Sequence, residues 1–171
     1  MTVCLVVLIS ERRTFSYDNF HPAEARTWRV TSQALTPDGK RYHMASCPLP
    51  LGDALKTNYA AVEQVATLYG VLSGEGSINK KKINVRGAFA TPSFFGVFGF
   101  KLAAGNPRTA LTIPNSIVLT AETAQRFFGV NDPMGKVIQF DRFGSFIVSG
   151  VLQPAPADSH INYEAFASMS S

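Results

Sequence analysis

Residues 91–136 (TPSFFGVFGFKLAAGNPRTALTIPNSIVLTAETAQRFFGVNDPMGK) constrain the fold most, because turn chemistry, caps and apolar spacing agree along them. Thr91 is placed to cap a helix opened by Pro92. Proline suits the first helical position, and a threonine oxygen accepts N–H groups left over at a helix start. Phe94, Phe95 and Phe98 then fall on one helical face. Past Gly105 and the Asn106-Pro107 turn, Ser116-Ile117-Val118-Leu119 reads as a short strand rich in β-branched residues. Thr120 caps a second helix in which Ala121, Ala124, Phe127 and Phe128 follow helical spacing, and Gly129 ends it. Asp132-Pro133-Met134-Gly135-Lys136 is a turn that leads back into a strand.

The flanks extend the same kind of pattern. Residues 28–35 alternate as a strand does, residues 41–47 offer a second, and Thr36-Pro37-Asp38-Gly39-Lys40 holds hairpin-turn residues between them. Residues 50–59 predict a short helix with Leu51, Ala54 and Leu55 on one face, and 62–72 a strand. Gly74-Glu75-Gly76-Ser77 reads as a flexible connection before a strand over 83–89. Residues 137–141 and 145–152 form a second hairpin through Arg142-Phe143-Gly144, and 153–158 is the best linker candidate. Strands alternating with short helices, plus two hairpins, predict an α+β fold: a mixed β-sheet with short helices packed on it.

One core is expected for 171 residues that are 46% hydrophobic, and thirteen phenylalanines supply large apolar surface to it. Each fully buried ring contributes roughly 1.5–3 kcal/mol. A net charge of +4 falls well short of the basic density of nucleic-acid binders, so no nucleic-acid partner is expected. Cys4 and Cys47 have no second cysteine or histidine at metal-ligand spacing, and both are expected reduced.

The chain offers little to chemistry. Gly74-x-Gly76 with Lys80, Lys81 and Lys82 lacks the spacing of a phosphate loop, and reads instead as a solvated hairpin tip with charges that blunt a sheet edge. Anionic lipid is a conceivable partner of the 80–86 cluster, while nucleic acid would need exposed stacking aromatics. His21, His43 and His160 stand apart, and Asp158 beside His160 fits a local turn as well as a metal. There is no G-x-S-x-G elbow, and Asp132, Asp141 and Asp158 sit in turn contexts. Phe94, Phe95, Phe98, Phe100, Phe127 and Phe128 have the spacing of core residues; lining a hydrophobic groove is the other use of such rings. The chain is therefore expected not to be an enzyme, with no catalytic, cofactor-binding or metal residues and no cofactor.

The order of these motifs resembles the periplasmic core domain of MacB-like and FtsX-like ABC transporter permeases. That domain carries an aromatic helix ending near a glycine, an S-I-V-L-T strand, an A-x-x-F-F-G helix and a D-P-x-G-K turn. Upstream, Ser16-Tyr17-Asp18-Asn19-Phe20-His21-Pro22 and Arg26-Thr27-Trp28-Arg29-Val30 are similar to the segment following the family's first membrane helix. Downstream, Phe146-Ile147-Val148-Ser149-Gly150-Val151 and residues 154–166 (PAPADSHINYEAF) are similar to its next strand and its approach to a second subdomain. The resemblance covers roughly residues 11–170.

Residues 2–9 (TVCLVVLI) are apolar but shorter than the roughly 20 residues of a spanning helix, and they lack a basic n-region and cleavage site. By pattern they suit either a buried element of a soluble domain or the outer end of a membrane helix. The resemblance favours the second: residues 1–10 as that outer end and 11–171 as the core domain, with the family's second subdomain and further membrane helices absent from this sequence. It further implies a non-catalytic domain facing the periplasm at the bacterial inner membrane. Such a domain transmits ATP-driven change to export, extraction or partner regulation. Its partners would be a cytoplasmic ATPase subunit, reached through the membrane part, and a twin in a homodimer or paired permease. Tyr17, Asp18, Phe20 and His21 then form the junction coupling membrane helix to domain, or else merely lock the incoming chain against the sheet; amphipathic rings are enriched at such a boundary. A soluble ligand-binding or sensor domain with a Phe-lined pocket is the competing function.

Overall fold

Local chemistry sets most elements of the computed structural model, which describes residues 21–79, 81–154 and 159–171. Its strands are β1 (Ser32–Leu35), β2 (Arg41–Met44), β3 (Leu68–Tyr69), β4 (Ser73–Ile78), β5 (Lys81–Ala90), β6 (Leu102–Gly105), β7 (Ser116–Thr120), β8 (Val137–Phe140), β9 (Gly144–Leu152) and β10 (Ala165–Ser168). Among the described residues the helices are α1 (Leu51–Asn58), α2 (Phe94–Phe98) and α3 (Ala121–Phe128), after a 3-10 turn at Glu24–Arg26. An α+β architecture with a mixed sheet is what the sequence predicts and what is found.

The helix over 121–128 forms as expected. Thr120 stays extended and its hydroxyl accepts the Thr123 N–H at 3.2 Å, while Gly129 turns to a φ of 63° and closes the helix on the Gln125 carbonyl. Asp132 accepts the Met134 N–H at 2.9 Å, and the turn it starts delivers β8, which pairs antiparallel with β9.

Four sequence expectations are corrected. Residues 74–77 lie within β4, and the Cβ missing at Gly76 leaves the space that Phe127, Ile138 and Phe140 fill. Of residues 62–72 only Leu68–Tyr69 is strand. Residues 102–105, given no element by the sequence, form β6, while the aromatic helix ends near a glycine as expected, at Gly99 with a φ of 71°. Thr91 does not cap α2; its hydroxyl accepts the Thr67 N–H at 3.0 Å and so ties down the strand that precedes β4.

Strand pairing closes on itself. β4, β5, β10, β7, β9 and β8 follow one another by hydrogen bonds and β8 returns to β4, with β5–β10 and β7–β9 parallel. A closed circuit leaves few bare edges, and β3 and β6 extend it on β5 and β9. Alternation along the strands separates two apolar clusters. Ile117, Leu119, Ile138, Phe140, Phe146 and Val148 belong to the first, with Phe127 of α3. Val118 and Phe166 face the other way, toward Phe94, Phe95 and Phe100. Phe94, Phe95, Phe100 and Phe127 are buried as core spacing predicts, with Phe98 and Phe128 half-buried.

The β1–β2 hairpin is a separate two-stranded sheet. In its turn, Gly39 (φ 80°) donates to the Thr36 carbonyl at 2.9 Å, and Lys40 lies 2.9 Å from Asp38. The Thr36 hydroxyl, then Lys40, hold the Asp38 carboxyl below its ordinary pKa of 3.8. A carboxylate depressed in the folded state stabilises fully above that ordinary value and loses its effect as pH falls through the lower one. The Gly39 amide shift should therefore titrate with a midpoint below 3.8, and Asp38→Asn should abolish the transition. A midpoint at or above that value would contradict the contact.

Candidate functional site at the chain junction

Of the four junction residues, Tyr17, Asp18 and Phe20 lie outside the described residues, as do Lys80, Asp158 and the apolar stretch 1–10. His21 is described, and it sits on α2. Its Nδ1 lies 2.7 Å from the Phe98 carbonyl. A carbonyl only accepts, so this nitrogen carries the proton and donates it. That carbonyl is among the last of a helix, where no intrahelical partner exists, so His21 satisfies an otherwise orphaned acceptor. The imidazole also meets the Phe98 ring edge-on, with centroids 5.2 Å apart and planes at 68°.

Inward from Phe98 the contacts are aromatic. Phe94 stacks on Phe166 of β10 at 4.6 Å and on Phe100 at 5.3 Å, and meets Phe98 at 5.2 Å. β10 is wedged between β5 and β7, fully buried along its length. A second set of ties holds the loop before β3 to the same helix: Thr91 N–H to the Thr67 carbonyl (3.1 Å) and the Ser93 hydroxyl to the Val65 carbonyl. Trp28 is 84% exposed in coil ahead of β1.

The described members of the basic 80–86 cluster, Lys81, Lys82 and Arg86, are held by protein partners. Lys81 donates to the Arg126 carbonyl at 2.5 Å, and Lys82 pairs with Glu75, whose hydrogen bond raises the lysine above its ordinary pKa. Arg86 donates to the Asn162 carbonyl at 2.5 Å, and its N–H goes to Glu164, which also takes the Arg126 guanidinium at 2.5 Å. Glu164 thus binds α3, β5 and the lead into β10, a structural tie that sequence reasoning missed and no local signal marks. Among the described residues no three His, Cys, Asp or Glu side chains gather as metal ligands do, and no helix is long and apolar enough to cross a membrane.

A family model described as the MacB-like periplasmic core domain matches residues 1–171. The fold is similar to that of a domain attributed to a permease protein of Porphyromonas gingivalis, with a TM-score of 0.68 at 18% identity, covering 82% of this chain and 60% of that one. It is also similar to the periplasmic region of MacB from Actinobacillus actinomycetemcomitans (TM-score 0.55, 20% identity, 70% and 53% covered). A third similar structure is the extracellular domain of the ABC-type transporter YknZ from Gram-positive bacteria (0.54, 17%, 68% and 59%). The chain thus spans between about half and three fifths of those solved chains. No curated protein matches it.

Proposed function

Because the chain belongs to the MacB-like periplasmic core domain family, we propose that it is a stiff lever of an ABC transporter permease, moved from the membrane side by ATP hydrolysed elsewhere. Residues 1–10 serve as the outer end of a membrane helix and 11–171 as the domain, on the periplasmic side of the bacterial inner membrane. Tyr17, Asp18, Phe20 and His21 join the two. A cytoplasmic ATPase acts through the membrane part, a twin copy completes the permease, and the domain itself performs no catalysis. Its work is export, extraction or regulation of a partner.

One observation carries this proposal: the incoming chain holds the end of α2 through His21, and α2 stacks directly on β10, the strand wedged between β5 and β7. A displacement of His21 therefore meets packed rings rather than a pliant loop, and close-packed interiors transmit strain. Stiffness needs no activated side chain, which suits residues committed to packing.

The test uses the whole permease reconstituted with its ATPase. His21→Ala should uncouple ATP hydrolysis from substrate movement while costing the isolated domain only about 1 kcal/mol, the worth of one hydrogen bond. His21→Asn retains a short N–H donor and should restore part of the coupling. Full coupling in His21→Ala would overturn the junction, and a collapse of domain stability would make its role structural.

A further inference from the structure

Lys56 of α1, Lys101 between α2 and β6, and Arg108 of the following turn line one groove of about 850 Å³ with Phe95, Phe100 and Leu102. Among the described residues, no carboxylate lies within ion-pair distance of any of these three cations. The groove's acidic residue, Glu63, is held by Arg26 at 2.6 Å. A chain whose whole excess is +4 thus places three unneutralised charges around one hollow, where low-dielectric walls concentrate their field. Phe95 and Phe100 are buried beneath it, so its floor is apolar and offers no exposed ring face for a base to stack on. Its backbone is largely spent as well. The Lys101 carbonyl takes the Gln153 N–H at 2.9 Å, the Val65 carbonyl takes the Ser93 hydroxyl, and β6 pairs with β9. An extended peptide would find few main-chain partners there.

We propose that this groove binds an anionic amphiphile, a molecule with a carboxylate or phosphate head and an apolar body. The head meets Lys56, Lys101 and Arg108, and the body lies along Val65, Pro92, Leu102 and Pro107, above the buried Phe95 and Phe100. The proposal rests on the groove's composition and does not depend on the lever. It does place the ligand against α2, the same short helix that His21 grips.

Calorimetry on the intact 171-residue chain tests it, with laurate and dodecyl phosphate below their micellar concentrations as probes. Dodecyl maltoside serves as the uncharged control and inorganic phosphate as the bare head. Both anionic probes should bind, and both controls should bind at least tenfold more weakly: the maltoside lacks the three charge contacts, and inorganic phosphate lacks the apolar body. The triple variant Lys56→Gln, Lys101→Gln, Arg108→Gln should lose affinity by about tenfold with its Tm unchanged, since all three side chains are exposed. Lys81→Gln with Lys82→Gln, on another face, should leave binding as it was. Equal affinity for the maltoside, an unaffected triple variant, or equal loss in the Lys81/Lys82 variant would each overturn the proposal. So would a glutamate-rich decapeptide that binds in a triple-sensitive way when neither amphiphile does. Co-sedimentation with phosphatidylglycerol but not phosphatidylcholine vesicles, lost in the triple variant, would identify membrane lipid as the source. Binding of free probes without sedimentation would identify a diffusing amphiphile, and both results uphold the chemistry.

Discussion

Phe166→Ala should lower the unfolding free energy by about 3–5 kcal/mol. The ring is 1% exposed and stacked at 4.6 Å on Phe94, with Phe100 and Tyr163 also within ring contact. Its backbone is pinned by β5 on one side and β7 on the other, so neighbouring strands cannot close over the cavity. For a chain of this length such a loss lowers Tm by about 10 °C or more. Phe98→Ala, at the half-buried rim, should cost about half as much. Urea unfolding of the two variants checks the order. A Phe166→Ala loss below about 1 kcal/mol would mean that α2 can collapse into the space, and the rigid link from His21 to the sheet would fail with it.

Gly105→Ala is the second large effect, at about 2–4 kcal/mol from backbone strain and forced displacement together. Gly105 holds φ at 95°, and an added Cβ would stand 2.4 Å from the Ser149 carbonyl oxygen and 2.9 Å from Gly150 Cα. Both are main-chain atoms of β9 at its bulge, where Ser149 leaves the ladder and its hydroxyl goes to the Ala110 carbonyl at 2.6 Å. Neither atom can swing aside. Gly144, at φ 83°, has open space where its Cβ would be, so alanine there should cost only about 1 kcal/mol of conformational strain. Equal losses at the two glycines would show that β6 yields, and that its pairing with β9 is loose.

Local rules served well where an element's partners are close in sequence. Thr120, Gly129 and the Asp132-Pro133 turn made their hydrogen bonds within a few residues, and both hairpins formed with the expected turns. Thr91 misled because its hydroxyl had two legitimate uses, and the Thr67 N–H, 24 residues away, took it. Gly74 and Gly76 argued for a loop by propensity alone. The bulk of Phe127, Ile138 and Phe140 explains the glycine at 76 inside a strand. At the junction, His21 could be singled out from the sequence, whereas its acceptor on Phe98, 77 residues away, could not.

Order of motifs, burial of the phenylalanines and the family to which the chain belongs were all settled by residues and their neighbours along the chain, since caps, turns and apolar periods act over a few positions. Tertiary structure alone decided that Ala165–Ser168, a run with no β-branched residue, would become a strand paired on both edges. It also decided that the sheet would close and that three distant cations would share a groove. Those outcomes depend on contacts between segments tens of residues apart, whose free energy comes from mutual burial and pairing and so leaves no mark on any one segment.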